Sequence, residues 1–222
     1  MRHLPLLLVF LLPLALAAQA PAAGADVGSE TVDPTTTEEM FAFRNLFEEE
    51  NVGYLHVYVD PNVDPLETYL FRGTEMGEGE VSLLPDVYLD QIDVDKGKVF
   101  AAIYVQGIEE DLYLVRYRGE QGGRIDQFAI RDQRPVHLKQ LASLACNDPG
   151  DCAQLDSYIT DVNLDSRFDL IQISRTEAGD TEGERSVYTM TFEDRSWQAT
   201  EELDVPWEGV TFYEHTSSSR DH

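Results

Sequence analysis

The chain has few basic residues. Lys and Arg together number 16 against 42 Asp and Glu, which gives a formal net charge of −26 at pH 7. Only Lys96, Lys98 and Lys139 are lysines. A surface this negative repels nucleic acid and anionic lipid, and it attracts cations, cationic partners and water. We therefore expect no nucleic-acid partner. Adaptation of the surface to a salty habitat explains the same composition without any ligand.

The sequence motifs of common catalytic sites are missing. The chain contains no G-x-S-x-G elbow, no H-E-x-x-H helix motif and no phosphate-binding glycine loop. His56 and His137 have no motif around them and are predicted to be ordinary sheet residues. A glycosidase needs only two carboxylates, which so acidic a chain could supply anywhere. The sequence favours a binding or structural role over catalysis, and a small secreted glycosidase-like hydrolase on a β-sandwich is the alternative.

Long apolar runs occur only at the start of the chain. A short basic stretch at 1–3 is followed by an apolar run over 4–16 and by small residues up to Ala20. This order is typical of a secretory signal peptide, and the apolar run is shorter than a membrane span requires. We predict a signal peptide over 1–20, with cleavage between 17 and 25, and a periplasmic or secreted protein that does not insert in the membrane afterwards. The alternative is an uncleaved anchor.

Cysteine is nearly absent. Cys146 and Cys152 are the two in the chain, and Pro149-Gly150 between them is typical of a type II turn. In an exported protein such a pair is expected to be oxidised, and closing this loop stabilises the fold by roughly 2 kcal/mol. Free thiols or half of a metal site are the alternatives, and no CxxC spacing or neighbouring histidine cluster supports them.

The composition along the chain predicts one domain. Residues 21–37 are small and polar and are expected to form a flexible leader, 38–215 a single β-rich domain, and 216–222 a disordered tail. Thr36 and Glu39 have the spacing of a capping box. Apolar residues then recur at helical intervals, which predicts one short N-terminal helix from about Thr37 to Glu49.

Beyond Gly53 the apolar pattern changes to period two, which is typical of strands. Gly119–Gly123 has the composition of a hairpin connection. Short strands at this spacing predict a mainly β fold, either an antiparallel sandwich or a partial propeller-like sheet. The segment 135–145 fits a strand or a short helix. The predicted strands are 54–59, 68–72, 80–84, 99–106, 112–118, 124–131, 155–159, 170–174, 187–192 and 210–213.

One stretch has the spacing of a metal loop. Side-chain oxygens fall at positions one, three, five and nine of the segment that begins at Asp161, namely Asp161, Asn163, Asp165 and Asp169. The main-chain carbonyl of Arg167, at position seven, can join them. Hard oxygen ligands in this number suit Ca²⁺ better than Mg²⁺. Because crowded carboxylates repel each other, a cation would stabilise them. The spacing predicts one calcium site.

The flanks of this loop indicate which kind of calcium loop it is. An EF-hand has an acidic residue at position twelve and helices on both sides, whereas this chain has Gln172 and strand-like sequence. The segment 158–173 resembles the β-hairpin calcium loop of FG-GAP/VCBS-type, integrin-α-like repeats, Asp-x-Asn-x-Asp-Gly-x-x-Asp followed by Leu or Ile. Ser166 replaces the family's Gly and must adopt a left-handed backbone at some cost. The resemblance implies a calcium loop between strands, and over so short a segment it does not extend to a complete propeller.

Two further interpretations accompany this site. The loop 161–169 could be a solvated acidic turn without a metal. The similar segment from Asp60 to Pro65 lacks an acid at position nine, and Pro65 cannot take a left-handed backbone, so it is predicted to be a turn. The tyrosine-rich strands could bind a carbohydrate, although aromatic residues at alternate strand positions commonly form core. The expected partner is therefore an unidentified protein or carbohydrate.

Overall fold

A computed structural model describes residues 37–51, 53–60, 68–107, 110–120, 122–148, 151–176, 180 and 182–214. They belong to one compact unit, Thr35–His222. The predicted signal peptide, the predicted tail and all but the last residue of the predicted leader lie outside the described residues, as does most of the Asp60–Pro65 segment. None of the described helices has both the length and the apolar character needed to cross a membrane.

The described residues form three short helices and eleven strands, so the prediction of a mainly β fold is confirmed. The helices are α1 (Thr37–Arg44), α2 (Glu78–Val81) and α3 (Asp86–Leu89). The strands are β1 (Glu48–Glu50), β2 (Tyr54–Val57), β3 (Thr74–Glu75), β4 (Lys98–Val105), β5 (Leu112–Gly119), β6 (Gly122–Arg131), β7 (Arg134–Asp148), β8 (Asp151–Thr160), β9 (Asp169–Arg175), β10 (Glu184–Met190) and β11 (Trp197–Ala199).

All eleven strands belong to one mixed sheet. From β4 to β11 each strand pairs with the next in antiparallel fashion. The three earlier strands join this meander away from their neighbours in sequence: β1 runs parallel to β4, β3 antiparallel to β4, and β2 antiparallel to β8. Among the described strands none joins β1 to β11, so the sheet is open.

The sheet is buried on both faces along much of its length. On β5, Leu112 and Leu114 contribute to one core and Tyr113 and Val115 to another, because successive side chains of a strand point to opposite faces. The first core collects side chains from β2 and from β4 through β9. Strands that are several positions apart in the sheet thus share one core, which requires the sheet to curl around it.

Two smaller cores lie on the face of the sheet opposite the first core. In the second core, Met40 and Phe43 of α1 and Tyr88 of α3 pack on β4, β5 and β6. In the third core, Val205 and Phe212 pack on β8, β9 and β10. These two residues belong to the C-terminal segment, defined here as residues 201–214, which has no helix or strand. The first core therefore lies on one face of the sheet, and the two ends of the described chain cover parts of the other face.

The first helix is shorter than predicted. It ends at Arg44, and Glu48–Glu50 forms β1 alongside Ile103–Val105 instead of completing the helix. An acidic end is unfavourable for the helix dipole, whereas strand pairing supplies partners for the backbone groups. The predicted helical end at Glu49 is therefore wrong.

Several strand predictions also need correction. Residues 80–84 were predicted to be a strand, but they lie in the end of α2 and the turn after it. The described residues of 68–72 and 210–213 are buried or half-buried in places but join no strand ladder. The ambiguous segment 135–145 lies in β7. Short apolar runs fit helix, strand and packed loop equally, so periodicity alone did not separate them.

The β7–β8 hairpin carries the disulfide. Cys146 and Cys152 lie directly opposite each other on the two strands, with their Cα atoms 4.1 Å apart, and their sulfurs are bonded. The predicted disulfide is confirmed, whereas the predicted turn at Pro149-Gly150 lies outside the described residues.

Beyond this hairpin β7 leaves β8, and β2 takes its place. The last described pair between β7 and β8 is Ser143 with Leu155, and β2 begins to pair at Ser157. The buried Ser157 hydroxyl donates to the carbonyl of Leu141, and the side-chain amide of Gln172 donates to the Ser157 oxygen at 2.9 Å. These side chains supply hydrogen-bond partners to buried backbone and hydroxyl groups at the point where β8 changes its partner from β7 to β2.

Candidate functional site

The predicted calcium loop connects two paired strands. Thr160 at the end of β8 pairs with Asp169 at the start of β9, and residues 161–168 form the connection. This segment, together with Asp169, is called the acidic loop below. A strand on each side holds its ends in register, as the resemblance to a β-hairpin calcium loop implies.

Three side chains turn into the acidic loop and accept bonds from its own backbone. The carboxylate of Asp161 accepts from the N–H groups of Asp165 and Ser166, at 3.0 and 2.8 Å. Asn163 Oδ1 also accepts from the N–H of Asp165, at 3.1 Å, and Asp165 Oδ1 accepts from Arg167 N–H at 2.9 Å. Each oxygen keeps a second lone pair, so these bonds leave room for a cation ligand.

The backbone of the acidic loop is left-handed at two positions. Ser166 has φ 70° and Leu164 has φ 62°. Ser166 therefore adopts the conformation that the resembling family assigns to glycine at the same position. Both residues carry a Cβ, so the turn is locally costly.

Asp169 is the buried member of the acidic loop. It is 3% exposed, and its Oδ2 accepts from the N–H of Val162 at 3.1 Å. Burial raises the pKa of this carboxyl, and the charges of Asp165 and Asp161 raise it further, against the opposing effect of the Val162 bond. A buried carboxylate with two acidic neighbours is a position at which a cation would lower the free energy of the fold.

All five predicted ligand residues thus lie in one loop, between β8 and the start of β9. In the part of the chain that the structure describes, no group of three or more His, Cys, Asp or Glu side chains is arranged to hold a metal ion. Asp161 and Asp165 direct their oxygens at backbone N–H groups instead.

The substitution Asp169→Asn tests whether the buried charge of Asp169 destabilises the fold in the absence of a cation. Because the pKa of Asp169 is raised above 3.8, the folded protein holds this proton more tightly than the unfolded chain does. The protonated Asp169 carboxyl therefore stabilises the fold fully below pH 3.8, and this stabilisation is lost as the pH rises through the folded-state pKa. In chelator at pH 7 we therefore expect Asp169→Asn to raise the melting temperature by a few degrees.

The gain should vanish in the same measurement below about pH 4, where wild type is protonated as well. Asp95→Asn, in an exposed turn, is the matched control and should change little at either pH. An Asp169→Asn protein that melts below wild type at pH 7 in chelator would contradict the expectation.

A small cavity of about 110 Å³ lies beside the acidic loop. Ser166, Arg167 and Phe168 form one side of it, so the loop is part of its wall. Leu112, Met190 and Trp197 supply further apolar lining. The cavity opens where the connections of several β-hairpins gather, at the end of the first core.

The polar side of this cavity contains an ion-pair network. Both oxygens of Glu110 accept from Arg131 Nε, at 3.0 and 3.1 Å, and Arg131 Nη2 makes a further bond to the carboxylate. Arg195 Nη1 lies 3.9 Å from the same carboxylate. The bonds to Glu110 raise the pKa of Arg131. One carboxylate is thus shared by two guanidinium groups.

The histidines lie on strands, as predicted, but each contacts a buried aspartate that the sequence analysis missed. His56 Nε2 lies 2.9 Å from Asp156, and His137 Nε2 lies 2.9 Å from Asp126. Both carboxylates are fully buried. A lone Asp inside an apolar strand segment was the available signal, and the acidic composition of the chain obscured it.

Each of these carboxylates also binds a second group. Asp126 accepts two bonds from Arg124, at 2.6 and 2.5 Å. Asp156 accepts from the backbone N–H of Tyr213, at 2.6 Å, and from Gln154 at 2.9 Å. Asp126 therefore neutralises the guanidinium of Arg124, and Asp156 holds the C-terminal segment against β8.

A row of aromatic rings surrounds the second of these carboxylates. His56 stacks on Tyr158 with centroids 4.2 Å apart, and Tyr58 stacks on Tyr213 at 3.8 Å. Tyr54 adjoins Tyr158 at 5.7 Å and is 58% exposed. We call these five residues the aromatic row. Its exposed end lies next to the acidic loop, because Tyr54 pairs with Thr160.

No known protein-family model matches this chain, and searches of curated proteins and of solved structures find no significant similarity. The function must therefore follow from the residues of the chain itself.

Proposed function

We propose that this protein is an exported, calcium-stabilised β-sheet domain with a binding or structural role. The observation that carries the proposal is the acidic loop, in which Asp161, Asn163 and Asp165 turn inward between two paired strands. The left-handed Ser166 supports the resemblance to FG-GAP/VCBS-type loops. Asp169, buried and acidic, is a further ligand that benefits from a cation.

The donor atoms of this loop suit calcium. Carboxylate and amide oxygens from Asp161, Asn163, Asp165 and Asp169, with the main-chain carbonyl of Arg167, are the hard ligands that Ca²⁺ prefers. A bound ion would offset most of the charge of three carboxylates and fix the β8–β9 connection. The role of the ion would be structural, because it would hold in place the loop that forms one wall of the cavity and lies next to the exposed end of the aromatic row.

The aromatic row supports a carbohydrate partner over a catalytic role. Sugars stack their apolar faces on exposed aromatic rings, and Tyr54 presents such a ring. The hydrolase alternative has less support, since the carboxylate described in the cavity, Glu110, is neutralised by Arg131. His56 and His137 do not line that cavity.

Calcium should raise the melting temperature of the protein. A ligand that binds only the folded state adds roughly 2.7 kcal/mol at a hundredfold excess over its Kd. In a chain of this size that amounts to about 5–10 °C. Differential scanning fluorimetry in millimolar calcium, in equimolar magnesium and in chelator measures the effect.

The substitution Asp165→Ala should abolish this calcium response, because it removes a central ligand and one charge. Asp95→Ala, in an exposed turn of similar composition, is the control and should leave the response intact. A wild-type protein whose melting temperature is the same in calcium and in chelator would refute the calcium site.

Export is the remaining part of the proposal. It is supported by the predicted signal peptide over 1–20 and by the disulfide, which persists in oxidising compartments. Mass spectrometry of protein recovered from the periplasm or medium should find a chain that begins between Ala18 and Asp26. A membrane-bound product that retains Met1 would disprove the export of a cleaved, unanchored chain.

A further inference from the structure

A polar groove lies at the end of the sheet opposite the acidic loop, beside the β5–β6 and β7–β8 hairpins. It encloses about 570 Å³, which is within the range of about 300–1,000 Å³ found for small-molecule sites. Its floor is low, because Gly119, Gly122 and Ala145 face one another on β5, β6 and β7 and carry at most one side-chain carbon each. The groove therefore has room for a ligand of several rings.

A β-bulge in β7 places two polar side chains beside this floor. Arg124 pairs with Ser143 and Asp126 pairs with Gln140, so β7 holds one extra residue between these two positions. The Gln140 and Ser143 side chains consequently share the face of Arg124. Both are half-buried, and among the described residues neither side chain has a hydrogen-bond partner. Their amide and hydroxyl groups are therefore available to a ligand.

Arg124 lines the groove with its orientation already fixed. The buried Asp126 accepts from Nε and Nη2 at 2.6 and 2.5 Å, and Gln91 Oε1 accepts from Nη2 at 3.1 Å. These bonds use three of the five guanidinium donors, and the two donors on Nη1 have no described acceptor. A donor that is held in place before binding loses little entropy when a ligand arrives.

Tyr117 supplies the aromatic part of the lining. Its hydroxyl donates to the carbonyl of Asp93 at 2.9 Å, which fixes the outer end of the ring. Gly97 and Gly119 make room for the ring, since a Cβ atom at these positions would lie 2.3 and 2.9 Å from its nearest atoms. A fixed aromatic ring offers an apolar surface to the C–H groups of a sugar.

The charges of the groove balance one another. Lys96 lies 2.9 Å from the carboxylate of Asp93. Arg124 is paired with Asp126, and of the described lining residues Glu120 carries the one further charge. A cationic ligand would compete with Lys96 and Arg124 for their carboxylates, and an anion would meet cations that are already paired. The groove instead offers donors and acceptors side by side, which suits hydroxyl groups because each of them does both.

We propose that this groove binds a short neutral oligosaccharide. One sugar ring packs on Tyr117, and its hydroxyl groups bond Arg124 Nη1, Gln140 and Ser143. An extended peptide fits less well, because β5, β6 and β7 are paired on both sides and offer no free strand edge. The proposal rests on the binding role inferred above, but it requires neither calcium nor the aromatic row.

Nuclear magnetic resonance of the isotope-labelled protein, in chelator, tests the groove. Maltotriose, cellotriose, xylotriose and mannotriose are the probes, at millimolar concentration, because they are neutral and differ in linkage and hydroxyl geometry. At least one of them should shift the backbone amides of Gly122 and Ser143 and the Nε–H signal of Arg124 in a saturable way. Trigalacturonate, which is anionic, and trialanine should give no saturable shift of these signals.

Two variants locate the contacts. Gln140→Ala should weaken the binding about twofold to tenfold, because it removes hydrogen bonds to the sugar. Ala145→Trp should abolish the binding, because the indole would fill the floor of the groove. Gln198→Ala and Ala199→Trp are the matched controls, since both residues are exposed on β11, and both variants should bind like wild type. A dispersed amide spectrum verifies that each variant is folded.

The outcomes separate the groove from the other proposals. The groove proposal would be overturned if no trisaccharide shifts its signals, if trigalacturonate or trialanine shifts them equally, or if Ala145→Trp binds like wild type. Shifts confined to amides around Tyr54 would also overturn it, while a carbohydrate-binding role at the aromatic row would stand. The calcium site is judged by melting temperature alone, so its failure is distinguishable from that of the groove.

Discussion

Replacing Asp126 by alanine is expected to destabilise the protein by about 3–5 kcal/mol, because it leaves a buried cation without its partner. Asp126 is fully buried, and Arg124 and His137 both bind it within 3 Å. The side chain of Arg124 is itself only 13% exposed, and its remaining described acceptor is Gln91 Oε1 at 3.1 Å, so water and Gln91 replace the lost carboxylate poorly. Urea unfolding followed by circular dichroism measures the change.

A matched exposed pair shows whether burial causes the effect. Lys98 and Glu75 are also 2.9 Å apart, but their side chains are 62% and 52% exposed. Glu75→Ala should cost no more than about 1 kcal/mol. The double variant Arg124→Met, Asp126→Leu should recover much of the loss, since it removes the unpaired charge. If Asp126→Ala and Glu75→Ala lower the free energy of unfolding equally, burial of the Arg124–Asp126 pair has no special effect.

Replacing Asp156 by alanine should release the C-terminal segment. The carboxylate is fully buried, accepts the backbone N–H of Tyr213 and contacts His56 and Gln154. The loss leaves several buried donors unpaired, at about 1–3 kcal/mol for each group that finds no other partner. Hydrogen exchange of peptides from 203–213 should accelerate strongly, and the third core should become accessible to a hydrophobic dye.

Tyr213→Phe is the control for this variant. It retains both the backbone N–H that bonds Asp156 and the ring that stacks on Tyr58, so exchange in 203–213 should stay close to wild type. If Asp156→Ala leaves exchange in this segment unchanged, Asp156 does not hold the segment in place.

The regular strands of the sheet could be predicted because the alternation of apolar residues that indicates a strand lies within the strand's own sequence. Alternating apolar residues identified β4, β5, β6, β8, β9 and β10 within a few residues, since each of these strands buries a face. The end of α1 was not predictable in this way. Glu48–Glu50 forms a strand because it pairs in parallel with Ile103–Val105. No residue close to Glu48 in the sequence indicates that partner.

Whether a candidate site could be predicted also depended on how far apart in the sequence its residues lie. The acidic loop was visible because all its side chains fall within nine residues. The pairs His56–Asp156 and Asp126–His137 join residues 100 and 11 positions apart, and in a chain with 42 acidic residues their spacing carries no signal. The cavity beside Trp197 was hidden for the same reason, because three separate hairpins build it.

The attachment of β2 to β8 has a consequence for the order of folding. Tyr54 pairs with Thr160, a separation of 160 − 54 = 106 residues, whereas Gly119 pairs with Gly122 across three. Closing the longer loop costs about 3 kcal/mol more in chain entropy. The meander can therefore form hairpin by hairpin, while β2 must wait until β8 has been assembled. A chain that emerges with its N-terminus first thus carries Leu55 and Val57 exposed for most of its emergence, and those two core side chains enter the first core late.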